Sequence, residues 1–281
     1  TPEEFLNDFF NLSYWGGHPL GYPVQGTAGS VGGFDRPAIV DYFGDRFRRR
    51  GIVVTVVGNL PHETAASAFR EAMGPMRLGD PLTFLPPPEP ARGSFLKRKR
   101  LEQAHLCLGA PAVSRRSDRV FAMDVVNAVL GGSSSSRLFQ QVREERGLAY
   151  SVGSSLSVYA DAGVLEIYAG TGKEHVEEVL EVAGDIVDDL REGGISDDEV
   201  AFAKELIKGN TLLSLESTMY RMSHLAMNEL FLDRLEPPEE ILARVDAVTP
   251  GQVRDLAAEV LLRDRFTLAA VGDLPEGGLG F

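Results

Sequence analysis

The sequence is short of cysteine, of clustered histidine and of long apolar runs. Cys107 is the single cysteine among 281 residues, so an internal disulfide is excluded and nothing indicates an oxidising compartment. No run of about 18 apolar residues occurs, which argues against a helical membrane span. The net charge of −13 argues against a nucleic-acid surface. We therefore expect a cytoplasmic protein that binds neither membranes nor nucleic acid.

Motifs for metal and nucleophile chemistry are also missing. The five histidines are dispersed along the chain. The segment HVEEV (175–179) has the first histidine and the glutamate of an H-x-x-E-H zinc helix, but Val179 stands where the second histidine must be. Neither G-x-S-x-G nor G-x-x-x-x-G-K-[ST] occurs. We interpret His175 as a solvated helix residue and predict no metal ligands in this chain.

Two segments resemble each other at one long separation. Residues 36–61, RPAIVDYFGDRFRRRGIVVTVVGNLP, and 249–275, TPGQVRDLAAEVLLRDRFTLAAVGDLP, both indicate a proline-initiated helix, a basic turn, an apolar strand and a V-G-[ND]-L-P turn. Gly58 and Gly272, which end the two strands, are 214 residues apart. Self-similarity at one long offset indicates two copies of a domain; the alternative is chance likeness of two helix–strand units.

The two copies are unequally represented. The stretch LPPPEPARG is too rich in proline for a helix or a central strand and separates them. We therefore divide the chain into residues 1–84, the C-terminal part of a first repeat, residues 85–94, a linker, and residues 95–281, a second repeat. If the copies have similar lengths, the first one begins about 120 residues before Thr1.

The second repeat mixes helices with paired strands. Ala104–Ala110 is a short apolar strand, and Tyr150–Val158 alternates with strand period before the turn ADAG and a second apolar run, which predicts a hairpin. Apolar residues recur at helical spacing over 176–190. The segments SDDE (196–199) and TPGQ (249–252) are capping boxes that start further helices. The sequence predicts an α+β fold, a mainly antiparallel sheet with helices packed on one face.

The segment REERGLAY places an arginine and a tyrosine on either side of a predicted helix end. Arg143 lies near the end of a helix predicted over Arg137–Arg146, and Gly147 suits the C′ position. By their own chemistry, Arg143 is a helix-end cation favoured by the helix dipole and Tyr150 is an ordinary strand residue. The helix face predicted to reach the core comprises Leu138, Phe139 and Val142. The strand face predicted to include the tyrosine comprises Tyr150, Val152 and Leu156.

The run LGGSSSSRLFQQVREERGLAYSVGSS (130–155) resembles the signature of the second domain in insulinase/pitrilysin-type zinc peptidases. It is closest to the bacterial members akin to mitochondrial processing peptidase. The pattern GG-x-x-S-S-R-L-F followed by R-x-x-R-G-L-A-Y carries the resemblance. The likeness extends to WGGHPLGYPVQGT (15–27), QAHLCLGAPA (103–112) and the helices after Gly172.

The resemblance implies tandem α+β domains, of which the first is truncated here, and a zinc-dependent proteolytic activity. In that family the first domain holds zinc through an inverted H-x-x-E-H helix and a downstream glutamate, and the glutamate of the motif is the general base. This chain lacks H-x-x-E-H, so the Zn²⁺ ligands of the parent protein are expected upstream of Thr1. Glu3 and Glu4 are not assigned to the metal.

The resemblance also gives the REERGLAY segment a role. In the family an arginine and a tyrosine, seven residues apart in the second domain, meet the substrate carbonyl and stabilise the tetrahedral oxyanion. Arg143 and Tyr150 fall on those two positions. We further expect the loop of Gly131 and Gly132 to contact substrate.

These observations lead to two main functional hypotheses. In the first, the chain is part of a zinc metalloendopeptidase that hydrolyses peptides in a chamber between domains, supplies the carbonyl contacts and is inactive alone. In the second, it is a naturally non-catalytic partner subunit or scaffold of a two-component peptidase. Both predict a peptide substrate and either a homodimer or a zinc-bearing partner subunit. A third reading is a peptide-binding module that uses an exposed sheet edge.

Overall fold

The computed structural model describes residues 1–46, 52–74 and 85–281. They form two compact units: unit 1 comprises residues 1–24, 87–209 and 239–281, and unit 2 comprises residues 25–86 and 210–238. The α-helices of the described residues are α1 (Pro2–Tyr14), α2 (Ala28–Gly32), α3 (Arg36–Arg46), α4 (His62–Met73), α5 (Val120–Leu130), α6 (Val176–Arg191), α7 (Asp197–Ser214), α8 (Thr218–Leu232), α9 (Pro238–Ala247) and α10 (Pro250–Val260).

Unit 1 is built on one sheet of five strands. Their order across the sheet is β1-β5-β2-β4-β3. Only the β1–β5 pair is parallel, and the other three pairs are antiparallel. The predicted α+β class with a mainly antiparallel sheet and the predicted hairpin are confirmed. The strands are β1 (Gly93–Arg98), β2 (Ala104–Pro111), β3 (Ala149–Val158), β4 (Gly163–Thr171) and β5 (Thr267–Gly272).

The main core lies between one face of the sheet and helices α5, α6 and α10. Alternation along β2 turns Leu106 and Leu108 towards these helices and Cys107 and Gly109 towards the other face. Helix α6 matches the predicted segment closely because its apolar residues form one broad stripe, and nine of its residues are buried. Burial of this stripe against the sheet is what makes an otherwise acidic helix stable.

Helix α1 covers the opposite face of the sheet. Thr1 caps it in a box with Glu4, and Leu6, Phe10 and Tyr14, spaced by four, are buried against the sheet. The fit is close, because a Cβ on Gly109 would lie 2.2 Å from Cζ of Phe10. The sheet of unit 1 is therefore covered on both faces.

Both capping boxes predicted in the second repeat are present. The amide of Glu199 donates to Oγ of Ser196 and the Glu199 carboxylate accepts from the Ser196 amide, so this box starts α7. Thr249 and Gln252 form the equivalent pair at the start of α10. No helix of the described residues is long and apolar enough to cross a membrane.

Unit 2 contains α2, α3, α4 and α8. The helix predicted for the first copy of the repeat is present as α3. Residues 52–57, predicted as the following strand, pair with no other strand in the part of the chain that the structure describes. Its counterpart β5 is hydrogen-bonded on both sides, by β1 and by β2, and a strand forms only where it has such a neighbour. The predicted basic turn, residues 47–51, lies outside the described residues.

The predicted domain boundaries remain a prediction. Residues 1–24 belong to unit 1 rather than to unit 2, but contacts within one chain do not report membership of a repeat. Within the segment predicted as a linker, 85–94, the structure has no helix or strand before β1 begins at Gly93. Part of the boundary region, residues 75–84, lies outside the described residues.

Candidate functional site

The predicted arginine–tyrosine pair lies where a π-helix, Phe139–Glu145, leads into β3. The Cζ atom of Arg143 is 4.4 Å from the centroid of the Tyr150 ring, and it is 4.7 Å from the centroid of the Phe139 ring. Both distances are within the range of a cation–π contact. The structure therefore brings the two predicted residues together and adds Phe139 to them.

The helix that carries Arg143 differs from the prediction. Residues 137–138 are α-helical, but Phe139–Glu145 follow the wider π pattern of i→i+5 hydrogen bonds. Leu138 and Val142 reach the core as predicted. Phe139 does not, and its half-buried ring lies against Arg143 instead. π-Helical turns are rare in proteins, and many of those that do occur are at functional sites.

Gly147 closes the π-helix as the predicted C′ residue. Its φ of +63° is in the left-handed region, which glycine adopts without a steric penalty. Its amide donates to the carbonyl of Arg143 at 3.2 Å, and the next amide, that of Leu148, donates to the carbonyl of Val142 at 2.9 Å. The chain reverses here, and burial of Leu148 fixes the start of β3.

A β-bulge turns Tyr150 away from the core. Ala149 pairs with Thr171 and Ser151 pairs with Gly170, so Tyr150 is an extra residue on β3. Its side chain is 75% exposed. The prediction that Tyr150 shares a face with Val152 and Leu156 is wrong, because the bulge inserts one residue into the alternation. The two apolar residues pack against the core, and Tyr150 does not.

The polar atoms of the pair remain available. Within the described residues, neither the Arg143 guanidinium nor the Tyr150 hydroxyl makes a hydrogen bond to protein. Arg143 has one ion pair there, with Glu144, whose Oε1 lies 3.5 Å from Nε, and both side chains are substantially exposed. Such an exposed pair contributes little. A cation and a phenol donor thus stand side by side, and no side-chain hydrogen bond to either comes from the part of the chain that the structure describes.

The start of the π-helix is held by an ion network around Arg137. Nε and Nη2 of Arg137 donate to the two carboxylate oxygens of Glu199 at 2.8 and 3.0 Å. Nη2 also donates to the carbonyl of Gly194 at 2.6 Å, and Nη1 contacts Asp189. Burial alone would raise the pKa of Glu199, but hydrogen bonds from Arg137 and Ser196 outweigh it and lower the pKa to about 2. We call this set of residues the Arg137 network.

The two glycines predicted to contact substrate are at the end of α5. The amides of Gly131 and Gly132 both donate to the carbonyl of Asn127, at 3.0 and 2.9 Å. The Gly131 carbonyl accepts from the Ser154 amide of β3, and a Cβ on Gly131 would lie 2.4 Å from that nitrogen. Gly131 is therefore required for close packing against β3. Contact of either glycine with substrate stays a prediction.

The described residues do not fit a zinc site. Among them, no three His, Cys, Asp or Glu side chains stand close enough together to hold a metal ion. The buried His105 uses Nδ1 in a hydrogen bond of 3.0 Å with the hydroxyl of Tyr168, and burial lowers the pKa of this imidazole. His175, predicted as a solvated helix residue, is intermediate in exposure and immediately precedes α6.

Sequence reasoning missed two contributors to the site, Phe139 and Arg137. The spacing of Phe139 and Arg143, four residues apart on one helix, is the signal that indicates their contact. No comparable signal exists for Arg137, because Asp189 and Glu199 are more than 50 positions away in sequence.

Comparison with known proteins identifies the family. Residues 33–207 match the family model described as the Peptidase M16 inactive domain. An uncharacterized zinc protease of Bacillus subtilis is 35% identical over 279 residues, which are 99% of this chain and 67% of that protein. The chain belongs to the M16 peptidase family. A second uncharacterized zinc protease, of Streptomyces coelicolor, is 36% identical over 98% of the M16 chain and 61% of its own length.

Solved structures show the same fold at low sequence identity. The crystal structure of a peptidase M16 inactive domain from Pseudomonas fluorescens superposes with a TM-score of 0.87 at 20% identity, over all of this chain and 67% of the other. A chain of Complex III2 from Candida albicans gives a TM-score of 0.80 at 18% identity, over 98% and 69% of the two chains. The M16 chain thus spans about two thirds of the length of these relatives.

Proposed function

We propose that this M16 chain supplies the substrate-carbonyl contacts of a zinc endopeptidase whose metal and general base belong to polypeptide outside the chain. The observation that carries the proposal is the Arg143–Tyr150 pair. A cation lies on the ring of an exposed phenol, and neither makes a hydrogen bond within the described residues. The names of the relatives, zinc proteases, support the reaction class.

The chemistry of the pair suits the hydrolysis of a peptide bond. Addition of water to a peptide carbonyl converts a neutral oxygen into an oxyanion before the C–N bond breaks. The Arg143 guanidinium and the Tyr150 hydroxyl are both donors, and they strengthen their hydrogen bonds to that oxygen as it acquires negative charge. Loss of one such donor typically lowers the turnover number by about 100- to 1,000-fold. A zinc ion would have to be held by residues outside this chain, and the chemistry it would supply there is polarisation of a carbonyl and activation of water.

The second candidate is a non-catalytic partner subunit, and one observation favours it. The matched family model is that of an inactive domain. In this arrangement a zinc-bearing subunit, or a second chain in a homodimer, provides the metal. The Arg143–Tyr150 pair then completes that site in trans, or the domain only shapes the substrate chamber.

Mutations of the pair test the proposal in the polypeptide that includes the zinc-binding segment. Arg143→Ala and Tyr150→Phe are each expected to lower kcat by about 100- to 1,000-fold while zinc remains bound at one equivalent. Arg146→Ala is the matched control, since Arg146 is the C-cap residue of the same helix and its ion pair within the described residues is with the exposed Glu178, at 3.6 Å. Turnover within twofold of wild type for both variants would return the pair to a structural role.

Assays of the 281-residue chain separate the two candidates. The chain alone is expected to bind no stoichiometric zinc and to cleave no peptide. Mixing it with a zinc-bearing M16 subunit that carries an alanine at its own arginine position restores cleavage if the pair acts in trans. Cleavage by the chain alone, with one bound zinc, would overturn the division of labour proposed here.

A further inference from the structure

We infer that Phe139 is a positioning residue, which fixes the Arg143 guanidinium in the orientation that the substrate carbonyl requires. The inference rests on the proposed role of Arg143 in carbonyl binding. It adds a third member to the site, one that touches the reacting atoms only through Arg143.

The geometry of the two contacts supports this role. The Cζ atom of Arg143 lies 4.7 Å from the Phe139 centroid and 4.4 Å from the Tyr150 centroid, so one cation contacts two rings. Each contact restricts the side chain, which otherwise has four rotatable bonds and a high rotamer entropy. A donor that is already oriented pays less entropy when the substrate binds.

Phe139 is the better fixed of the two rings. Tyr150 is 75% exposed, whereas Phe139 is half-buried and follows the fully buried Leu138. On the same N-terminal side, the Arg137 network holds the chain two residues before Phe139. Phe139 therefore provides the rigid side of the contact, and Tyr150 keeps its hydroxyl for the substrate.

An aromatic ring is also the partner that leaves Arg143 reactive. A carboxylate at this position would occupy the guanidinium donors and neutralise the charge that the oxyanion needs. The face of a phenylalanine ring attracts the cation through its quadrupole and accepts no conventional hydrogen bond. The present carboxylate neighbour, Glu144, is 3.5 Å away and half-exposed, so it competes weakly.

The spacing of Phe139 and Arg143 on one helix accounts for their contact. Phe139 and Arg143 are four residues apart, and side chains at this separation lie on the same side of a helix. Both are within the segment with i→i+5 hydrogen bonds, which closes on Gly147 and directs β3 back past Arg143. The turn that follows Arg143 thereby places the Tyr150 ring in contact with the Arg143 guanidinium.

The test uses Phe139→Leu and Phe139→Tyr in the complete zinc-containing enzyme. Phe139→Leu removes the ring but keeps an apolar side chain, and we expect kcat to fall between about 2-fold and about 30-fold with KM unchanged. Phe139→Tyr retains the ring face and is expected to stay within about twofold of wild type. The matched control is Phe121→Leu, which removes an equivalent contact between the Phe121 ring of α5 and Arg244 of α9, whose Cζ atom is 4.6 Å from the ring centroid.

A double-mutant cycle separates positioning from general stabilisation. In the Arg143→Ala background, Phe139→Leu is expected to change kcat by less than about twofold, because there is no guanidinium left to orient. If Phe139→Leu lowers kcat by the same factor in the Arg143→Ala background as in the wild type, the inference about Phe139 is overturned. The role of Arg143 would be unaffected by that result. A loss that appears in KM and varies with the substrate side chain would make Phe139 a substrate-binding residue instead. If Arg143→Ala itself has wild-type turnover, the proposed function fails first.

Discussion

Replacing Arg137 tests whether the ion network at the start of the π-helix stabilises unit 1. Arg137→Gln removes both hydrogen bonds to Glu199, the bond to the Gly194 carbonyl and the contact with Asp189. Glu199 keeps the amide and hydroxyl of Ser196, at 2.9 and 2.8 Å, so its carboxylate is not left without donors.

The expected magnitude follows from burial and charge. The Arg137 side chain is 19% exposed and that of Glu199 is 32% exposed. A pKa lowered from 4.5 to about 2 corresponds to about 3 kcal/mol in favour of the folded protein, and Ser196 and solvent account for part of it. We therefore expect Arg137→Gln to lower the free energy of unfolding by about 2 kcal/mol at pH 7.

The matched control is Arg119→Gln. Arg119 also donates to both oxygens of a glutamate, Glu259, but the two side chains are 51% and 53% exposed. Water screens such a pair, so Arg119→Gln is expected to lower the free energy of unfolding by less than about 1 kcal/mol. The two bidentate arginine–glutamate pairs differ in burial, and the predicted decreases in the free energy of unfolding differ accordingly.

The assay is urea unfolding followed by the fluorescence of Trp15. Trp15 is the single tryptophan, it is buried, and it belongs to unit 1, as Arg137 does. Because the folded-state pKa of Glu199 is depressed, the ionised carboxylate contributes fully to the free energy of unfolding above pH 4.5. Below pH 4.5 this contribution declines by up to about 1.4 kcal/mol per pH unit towards pH 2. The reasoning would be refuted if Arg137→Gln and Arg119→Gln lowered the free energy of unfolding equally. It would also be refuted if the effect of Arg137→Gln on that free energy were constant from pH 7 to pH 3.

Three further substitutions give separate expectations. Gly109→Ala places a Cβ 2.2 Å from Cζ of Phe10, so α1 must shift. We expect the free energy of unfolding to fall by about 1–3 kcal/mol and the emission of the single tryptophan to shift to the red. Unchanged emission would contradict the packing of α1 on the sheet. Gly147→Ala forces a side chain into a φ of +63° and should cost about 1 kcal/mol in thermal unfolding; no loss would mean that the turn relaxes. Burial raises the pKa of Asp124 to about 6, so ionisation of this carboxyl destabilises the fold as the pH rises. The Tm of Asp124→Asn, relative to that of the wild type, should therefore increase from pH 4 to pH 8. A Tm difference that does not change with pH would exclude ionisation of Asp124 as the cause.

Features with a local physical cause could be predicted from the sequence. The stripe of α6 and the capping boxes at Ser196 and Thr249 are set by neighbours within a few residues, and all are present. The C′ role of Gly147 is of the same kind, since only its own backbone conformation is involved.

Features that depend on distant partners could not be predicted. The bulge at Tyr150 is defined by the register of β3 against β4, and alternation alone places this residue on the wrong face. The π-helix departs from the predicted α-helix, and it ends where the Leu148 amide donates to the Val142 carbonyl and Leu148 enters the core, a tertiary contact that helical periodicity does not report. Residues 52–57, predicted as a strand, pair with no strand among residues 1–46, 52–74 and 85–281, and apolar composition alone does not report whether a neighbouring strand is present.

The most direct test of the central claim is the affinity of the complete enzyme for a peptide phosphinate, whose tetrahedral anion resembles the oxyanion. If Arg143 and Tyr150 stabilise that oxyanion, Arg143→Ala and Tyr150→Phe each raise the inhibition constant about as much as they lower kcat/KM, by about 100- to 1,000-fold. KM for the substrate should change little, and zinc should remain bound. An inhibition constant that is unchanged in both variants would contradict the account.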